Sequence, residues 1–154
     1  MVRTLLIAGA LFATVALAAP VPKDFVKTAK QDGKWKMTAY EANGRESKSA
    51  AILSQTWAIV GENLTVTREA GGKGGGKGGP GLLTMKMKLK TDPKKSPAEL
   101  DYIQAGGGTR IGVFAVDGDT LTVCLALGLD AERPSNLDGG PGVQKYTFTR
   151  VKDK

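Results

Sequence analysis

From Lys34 onward the chain alternates apolar and polar residues in short runs broken by turn residues, the period-2 pattern of half-buried strands. A first strand over Lys34–Glu41 puts Trp35, Met37 and Ala39 on one side and Lys36, Thr38 and Tyr40 on the other, and Asn43-Gly44 ends it. Arg45–Ser54, rich in alanine, serine and charge, predicts a helix with Ile52 and Leu53 as its apolar part. Thr56–Val60 turns Trp57 and Ile59 inward, and Gly61-Glu62-Asn63 leads into Leu64–Glu69, where Leu64 and Val66 alternate with threonine. The cleanest alternation follows: Leu83, Met85, Met87 and Leu89 face in, and Thr84, Lys86, Lys88 and Lys90 face out. After two proline breaks, Glu99–Gln104 carries Leu100 and Tyr102 inward.

Arg110–Val116 and Thr120–Leu125 flank Asp117-Gly118-Asp119, a strong hairpin signal. A two-residue loop at either Asp117-Gly118 or Gly118-Asp119 groups Phe114 and Val116 with Leu121, Val123 and Leu125, and sends Cys124 to the opposite face. A loop containing Pro134, Gly139, Gly140 and Pro141 precedes the last strand, Val143–Val151, in which Tyr146 and Phe148 alternate with Lys145 and Thr147.

Eight strands joined by short connections predict an all-β, up-and-down antiparallel sheet, and closing it into a barrel removes its exposed edges. An eight-stranded barrel holds its own side chains or one small ligand. A two-sheet sandwich is the alternative. The run Gly71–Gly81 offers almost no side chain to bury, which predicts a mobile loop.

Ahead of the strands, Arg3, the apolar run Leu5–Val15 and Ala16-Leu17-Ala18 read as a secretory signal peptide over residues 1–18, cleaved before Ala19. A lead-in segment at 19–32 and one domain at 33–154 follow. The expected destination is the periplasm or the exterior, with no transmembrane segment left after cleavage and a monomeric product.

The chain has a formal charge of +7 and no histidine. That composition removes imidazole acid–base chemistry, Ser-His and Cys-His dyads and imidazole metal ligands. A lone cysteine, Cys124, makes neither a disulfide nor a thiolate cage and reads as a small packed hydrophobe. No catalytic residue, metal site or cofactor is expected. Gly71-x4-Gly76-Lys77-Gly78 approaches a phosphate-binding loop but lacks the Ser/Thr and the helix that such a loop needs. Asp117 and Asp119 lack the further ligands of a calcium loop. Asn63-Leu64-Thr65 has the form of a glycosylation acceptor and is read as incidental. The lysines are scattered, without interleaved aromatics, which argues against nucleic acid and leaves an anionic envelope component as a partner.

Gly33-Lys34-Trp35 resembles the G-x-W motif of lipocalins, and Arg150 resembles the arginine that packs over that tryptophan. The resemblance implies a lipocalin-like or calycin-like barrel with Trp35 and Arg150 sealing one end through a cation–π contact. The Thr-Asp-Tyr motif of that family is absent. Gly61-Glu62-Asn63-Leu64-Thr65-Val66, Leu100-Asp101-Tyr102, Gly112-Val113-Phe114, Asp117-Gly118-Asp119-Thr120-Leu121, Arg133-Pro134 and Arg150-Val151-Lys152 are similar to a family of uncharacterised secreted domains abundant in planctomycete bacteria, which implies no activity.

Two readings of the interior follow. In one, Met37, Met85, Met87, Tyr102, Phe114 and Tyr146 line a site for a small hydrophobic molecule. In the other, the barrel is filled, and basic loops and surface lysines form a recognition surface of a structural or interaction domain.

Overall fold

The computed structural model describes residues 31–69, 81–128 and 130–152. The signal segment, the lead-in segment through residue 30 and the glycine-rich run through residue 80 lie outside the described residues.

The elements run β1 Gly33–Ala42, β2 Arg45–Glu46, α1 Ala50–Leu53, β3 Thr56–Val60, β4 Asn63–Glu69, β5 Leu82–Asp92, β6 Ala98–Ile103, β7 Thr109–Asp117, β8 Thr120–Ala126 and β9 Val143–Arg150. From β3 onward each strand pairs antiparallel with the next, β1 pairs with β3, and β9 returns to β1. Eight strands therefore close into an up-and-down barrel, as the alternation predicts. A sandwich would have left β1 and β9 apart. No helix among the described residues is long and apolar enough to cross a membrane.

Two local expectations need correction. The helix predicted over Arg45–Ser54 is a single turn, Ala50–Leu53. Asn43 and Gly44 both take positive φ, 53° and 74°, and fold the chain back so that Arg45 and Glu46 pair with Ala42 and Glu41 as β2. A four-residue helix has too few internal bonds to persist on propensity alone. It is held because Ile52 and Leu53 pack on the barrel core.

The second correction concerns β1. Met37 pairs with Phe148 and Ala39 with Thr147, so Thr38 is an inserted bulge residue. A bulge shifts the phase of everything beyond it. Tyr40, expected on the outer face, turns inward opposite Tyr146, with ring centroids 5.1 Å apart.

The hairpin register is settled by Asp117 opposite Thr120, which makes Gly118-Asp119 the loop, with Gly118 at φ 54°. Phe114 faces Val123 and Val116 faces Leu121 across this pair, and Cys124 stands opposite Val113 on the outer wall.

One end of the barrel is closed. Trp35 and Phe148 are fully buried there, and the Arg150 guanidinium lies 4.1 Å from the Trp35 ring centroid. Trp35 Nε1–H donates to the Gln31 carbonyl at 2.9 Å, and Arg150 Nη1 donates to the Asp32 carbonyl at 2.8 Å. Gly33 has φ 138°, and a Cβ at that position would lie 2.5 Å from Arg150 Nη1. Backbone conformation favours glycine beside the tryptophan, and a Cβ there would push the Arg150 guanidinium from its place.

Outside the barrel wall, Val113, Cys124 and Ala126 are buried but stand apart from the interior cluster. The chain between β8 and β9 covers them. Its Arg133 reaches over β6 and β7, donating to the Gly112 carbonyl at 2.6 Å and to Asp101 Oδ1 at 2.7 Å.

Trp35→Ala is expected to cost about 3–5 kcal/mol in denaturant unfolding, the range for removing a buried large aromatic. Arg150→Ala is expected to cost on the order of 1 kcal/mol, and the double variant less than the sum of the two. Additive losses would mean that the two side chains are not energetically coupled.

Candidate functional site

The opposite end is where β1, β4, β6 and β8 finish and β3, β5, β7 and β9 begin. Its inner wall changes character along β5. Leu89 and Met87 are 2% and 8% exposed, whereas Met85 and Leu83, further along the same inward face, are 41% and 45% exposed. The cause lies in the strand lengths. β6 pairs with β5 only from Lys88 to Asp92, so the first part of β5 has β4 as its strand partner among the described residues and stands above the packed core.

The floor of this end is aromatic. The Trp57 ring lies 4.6 Å from Phe148, 5.6 Å from Tyr146 and 6.4 Å from Tyr102, centroid to centroid. Below it the barrel is filled, and Met37 and Phe114 belong to that packed half. Of the residues the sequence suggested as ligand-lining, Met85 and Tyr102 stand at the open end, and Met87 and Tyr146, both buried, lie just beneath.

Three further residues complete the site. Arg110 Nη2 donates to Gln144 Oε1 at 2.6 Å and to the Ala126 carbonyl at 2.8 Å. Tyr146 Oη–H donates to the same Gln144 Oε1 at 2.8 Å, and Gln144 Nε2 donates to Tyr40 Oη at 2.8 Å. Alternation counted back from Phe114 and Tyr146 puts Arg110 and Gln144 on the inward face, so that signal lay in the sequence. Both polar residues sit at strand starts, where a solvent-facing role is the ordinary expectation. Tyr40 was hidden by the bulge.

The electrostatics are one-sided. Arg110 has no carboxylate within ion-pair distance among the described residues. The inward register positions carry Arg68, Arg110 and Arg150 but neither aspartate nor glutamate. Burial raises the Tyr102 phenol above its ordinary range, and nearby Arg110 partly offsets this. Burial raises the Tyr146 phenol strongly, with Tyr40 adding to the effect and Arg110 opposing it.

A separate cavity of about 380 Å³ lies on the outer wall between Thr120, Thr122, Lys145, Thr147 and Leu137. It is lined by small hydroxyls and has no aromatic wall. Cys124 is fully buried nearby, its thiol raised by burial and lying against the Gly139 backbone N–H. Among the described residues no three of His, Cys, Asp or Glu gather as metal ligands.

Set against family models, curated proteins and solved structures, the chain finds no significant match.

Two outcomes are expected from this geometry. A phenol whose folded pKa is raised holds its proton more tightly folded than unfolded. Its stabilising contribution is therefore complete below the unfolded value of about 10 and is lost as pH rises above it. The urea midpoint should fall above that pH less in Tyr146→Phe than in the parent, and tyrosinate absorbance should show Tyr146 ionising only with unfolding. Native Cys124 should be inert to a thiol reagent, and Arg133→Ala should raise its labelling rate by about tenfold or more, because the covering segment loses charge-assisted bonds each worth about 1.5–3 kcal/mol. Equal rates would separate the Arg133 contacts from the burial of the thiol.

Proposed function

We propose that this chain is an exported, non-catalytic binding module that seats a small apolar molecule in the open end of its barrel. The exposure gradient along β5 carries the reading: on one continuous inward face, leucine and methionine pass from buried to nearly half-exposed. Apolar side chains on a concave wall, beside a few convergent polar groups, are the usual lining of a small-molecule site. Methionine at the rim suits a ligand of irregular shape, and Trp57 and Tyr102 supply a flat aromatic floor. The filled lower half limits the ligand to the upper part of the barrel. The lack of histidine supports a role without acid–base catalysis.

A second reading draws on the outer wall. Lys34 stands in one row with Ala58, Thr65 and Lys86, and Lys36 in the next with Thr56, Thr67 and Thr84. With exposed Lys88 and Lys90 this makes a basic face suited to an anionic envelope polymer. Its contribution would fall steeply with salt, because exposed charges are screened beyond about 10 Å at 0.1 M ionic strength.

Titration with Nile red, a neutral apolar dye, tests the first reading. Saturable, blue-shifted emission at one site per chain is expected. Leu83→Ser with Met85→Ser should weaken it by about tenfold or more, since each buried apolar side chain is worth roughly 1.5–3 kcal/mol. Emission that never saturates, or that ignores the double substitution, would defeat the proposal. Salt-sensitive retention on an anionic matrix, lost in Lys34→Gln with Lys86→Gln, would then favour the outer face.

A further inference from the structure

The hydrogen-bond directions at the open end select the ligand further, taking as given that a ligand binds there. Arginine has only donors, so the Gln144 amide must turn Oε1 toward Arg110. That oxygen also accepts from Tyr146, which occupies both of its lone pairs. The Gln144 Nε2 side donates to Tyr40, so the Tyr40 hydroxyl acts as acceptor there and keeps its own hydrogen free. Beyond Gln144 and the Ala126 carbonyl, Arg110 has only the Tyr146 phenol as a hydrogen-bonding neighbour among the described residues, and the Tyr102 hydroxyl has no partner among them. What remains available around the aromatic floor is richer in donors than in acceptors: the Gln144 amide oxygen is already used, Arg110 can only donate, and the tyrosine hydroxyls can turn a hydrogen toward a ligand.

Charge points the same way. Arg110 is half-buried without a counter-ion. Arg68, which continues the inward face of Leu64 and Val66, is also without an ion pair among the described residues, and its Nε is buried without an acceptor among them. A half-buried cation with unused donors is stabilised most by an anionic acceptor that reaches it.

We infer that the open end binds an amphipathic molecule by an anionic oxygen head, a carboxylate or a phosphate, held by Arg110 with Tyr40 and Tyr102, while its apolar body lies along Leu83 and Met85. The polar cluster and the apolar β5 wall belong to one rim, which is the division of labour such a ligand needs. A cationic head would meet Arg110 and Arg68 without an acid to balance them, and a neutral one would leave the guanidinium uncompensated.

Isothermal titration of the full chain with dodecanoate, dodecyl phosphate, dodecanol and dodecyltrimethylammonium tests this, each kept below its micelle concentration. At least one of the two anions should bind about tenfold or more tighter than dodecanol, the margin of one charge-assisted hydrogen bond. The ammonium should bind weakest. Arg110→Gln should bring the anions to the level of dodecanol measured on the same variant. Tyr40→Phe, which keeps the ring and removes one donor, should lower anion affinity several-fold and serves where Arg110→Gln disturbs folding. Dodecanol binding as tightly as both anions, or an anion preference that survives Arg110→Gln, would overturn the inference and leave the apolar site standing. Failure of all four to bind would defeat the apolar site itself.

Discussion

Where β1 closes the barrel against β9, Met37 stands opposite Phe148 and Ala39 opposite Thr147, with Thr38 between them unpaired. That inserted residue decides what the open end contains. Strict alternation from Trp35 and Met37 would carry Ala39 and Glu41 inward and Tyr40 outward. Glu41 would then bring a carboxylate toward Arg110 and close the one-sided charge of the site. With the bulge, Glu41 pairs across the outer wall with Lys145, where its Oε1 lies 2.7 Å from the place a Cβ on Gly139 would occupy. The glycine at 139 and the bulge at Thr38 thus serve one arrangement, an acid kept outside and a tyrosine brought in.

The two ends of the barrel solve opposite problems with similar residues. At the closed end Arg150 is flattened on Trp35, bonded to the Asp32 carbonyl and near Asp119, so its charge is matched on all sides. At the open end the partners of Arg110 among the described residues are neutral: Gln144, the Ala126 carbonyl and the Tyr146 phenol. Pairing a partly buried cation with neutral acceptors stabilises it less than pairing it with a carboxylate. The closed end therefore suits permanent structure, and the open end leaves the Arg110 charge without a matching acid among the described residues. Arg133, tied to Asp101, Glu99 and backbone carbonyls outside the wall, follows the pattern of the closed end.

Most of the barrel was legible because period-2 alternation is read one strand at a time. Phe114, Val116, Leu121 and Val123 fell on one face whichever hairpin loop was chosen, and the structure pairs them so. The Trp35 and Arg150 pairing was legible through a short motif at the two ends of the chain. What escaped were features set by the partner strand. A bulge leaves no mark in the sequence of β1, since Thr38 is as ordinary a strand residue as its neighbours. The exposure of Leu83 and Met85 depends on where β6 stops, not on the pattern of β5 itself. The short helix is present but shorter than the sequence suggests, for a local reason: two positive φ angles make Asn43-Gly44 a reversal that sends Arg45 and Glu46 into β2.

Arg110 also has a structural role that any account of the site must absorb, since its Nη2 links the end of β8 to the start of β9. That role alone does not require an arginine. Tying the Ala126 carbonyl to the Gln144 amide needs two donor hydrogens, which a neutral amide side chain supplies without placing an unopposed charge beside the Trp57 and Tyr146 rings. Desolvating a guanidinium costs several kcal/mol unless it is paired, and here no acid on the inner wall offsets it. Tyr102 and Tyr146 do not do so either, because burial makes both harder to ionise. An unopposed guanidinium makes this arrangement less favourable than its neutral equivalent, a cost that the proposed anionic head would offset.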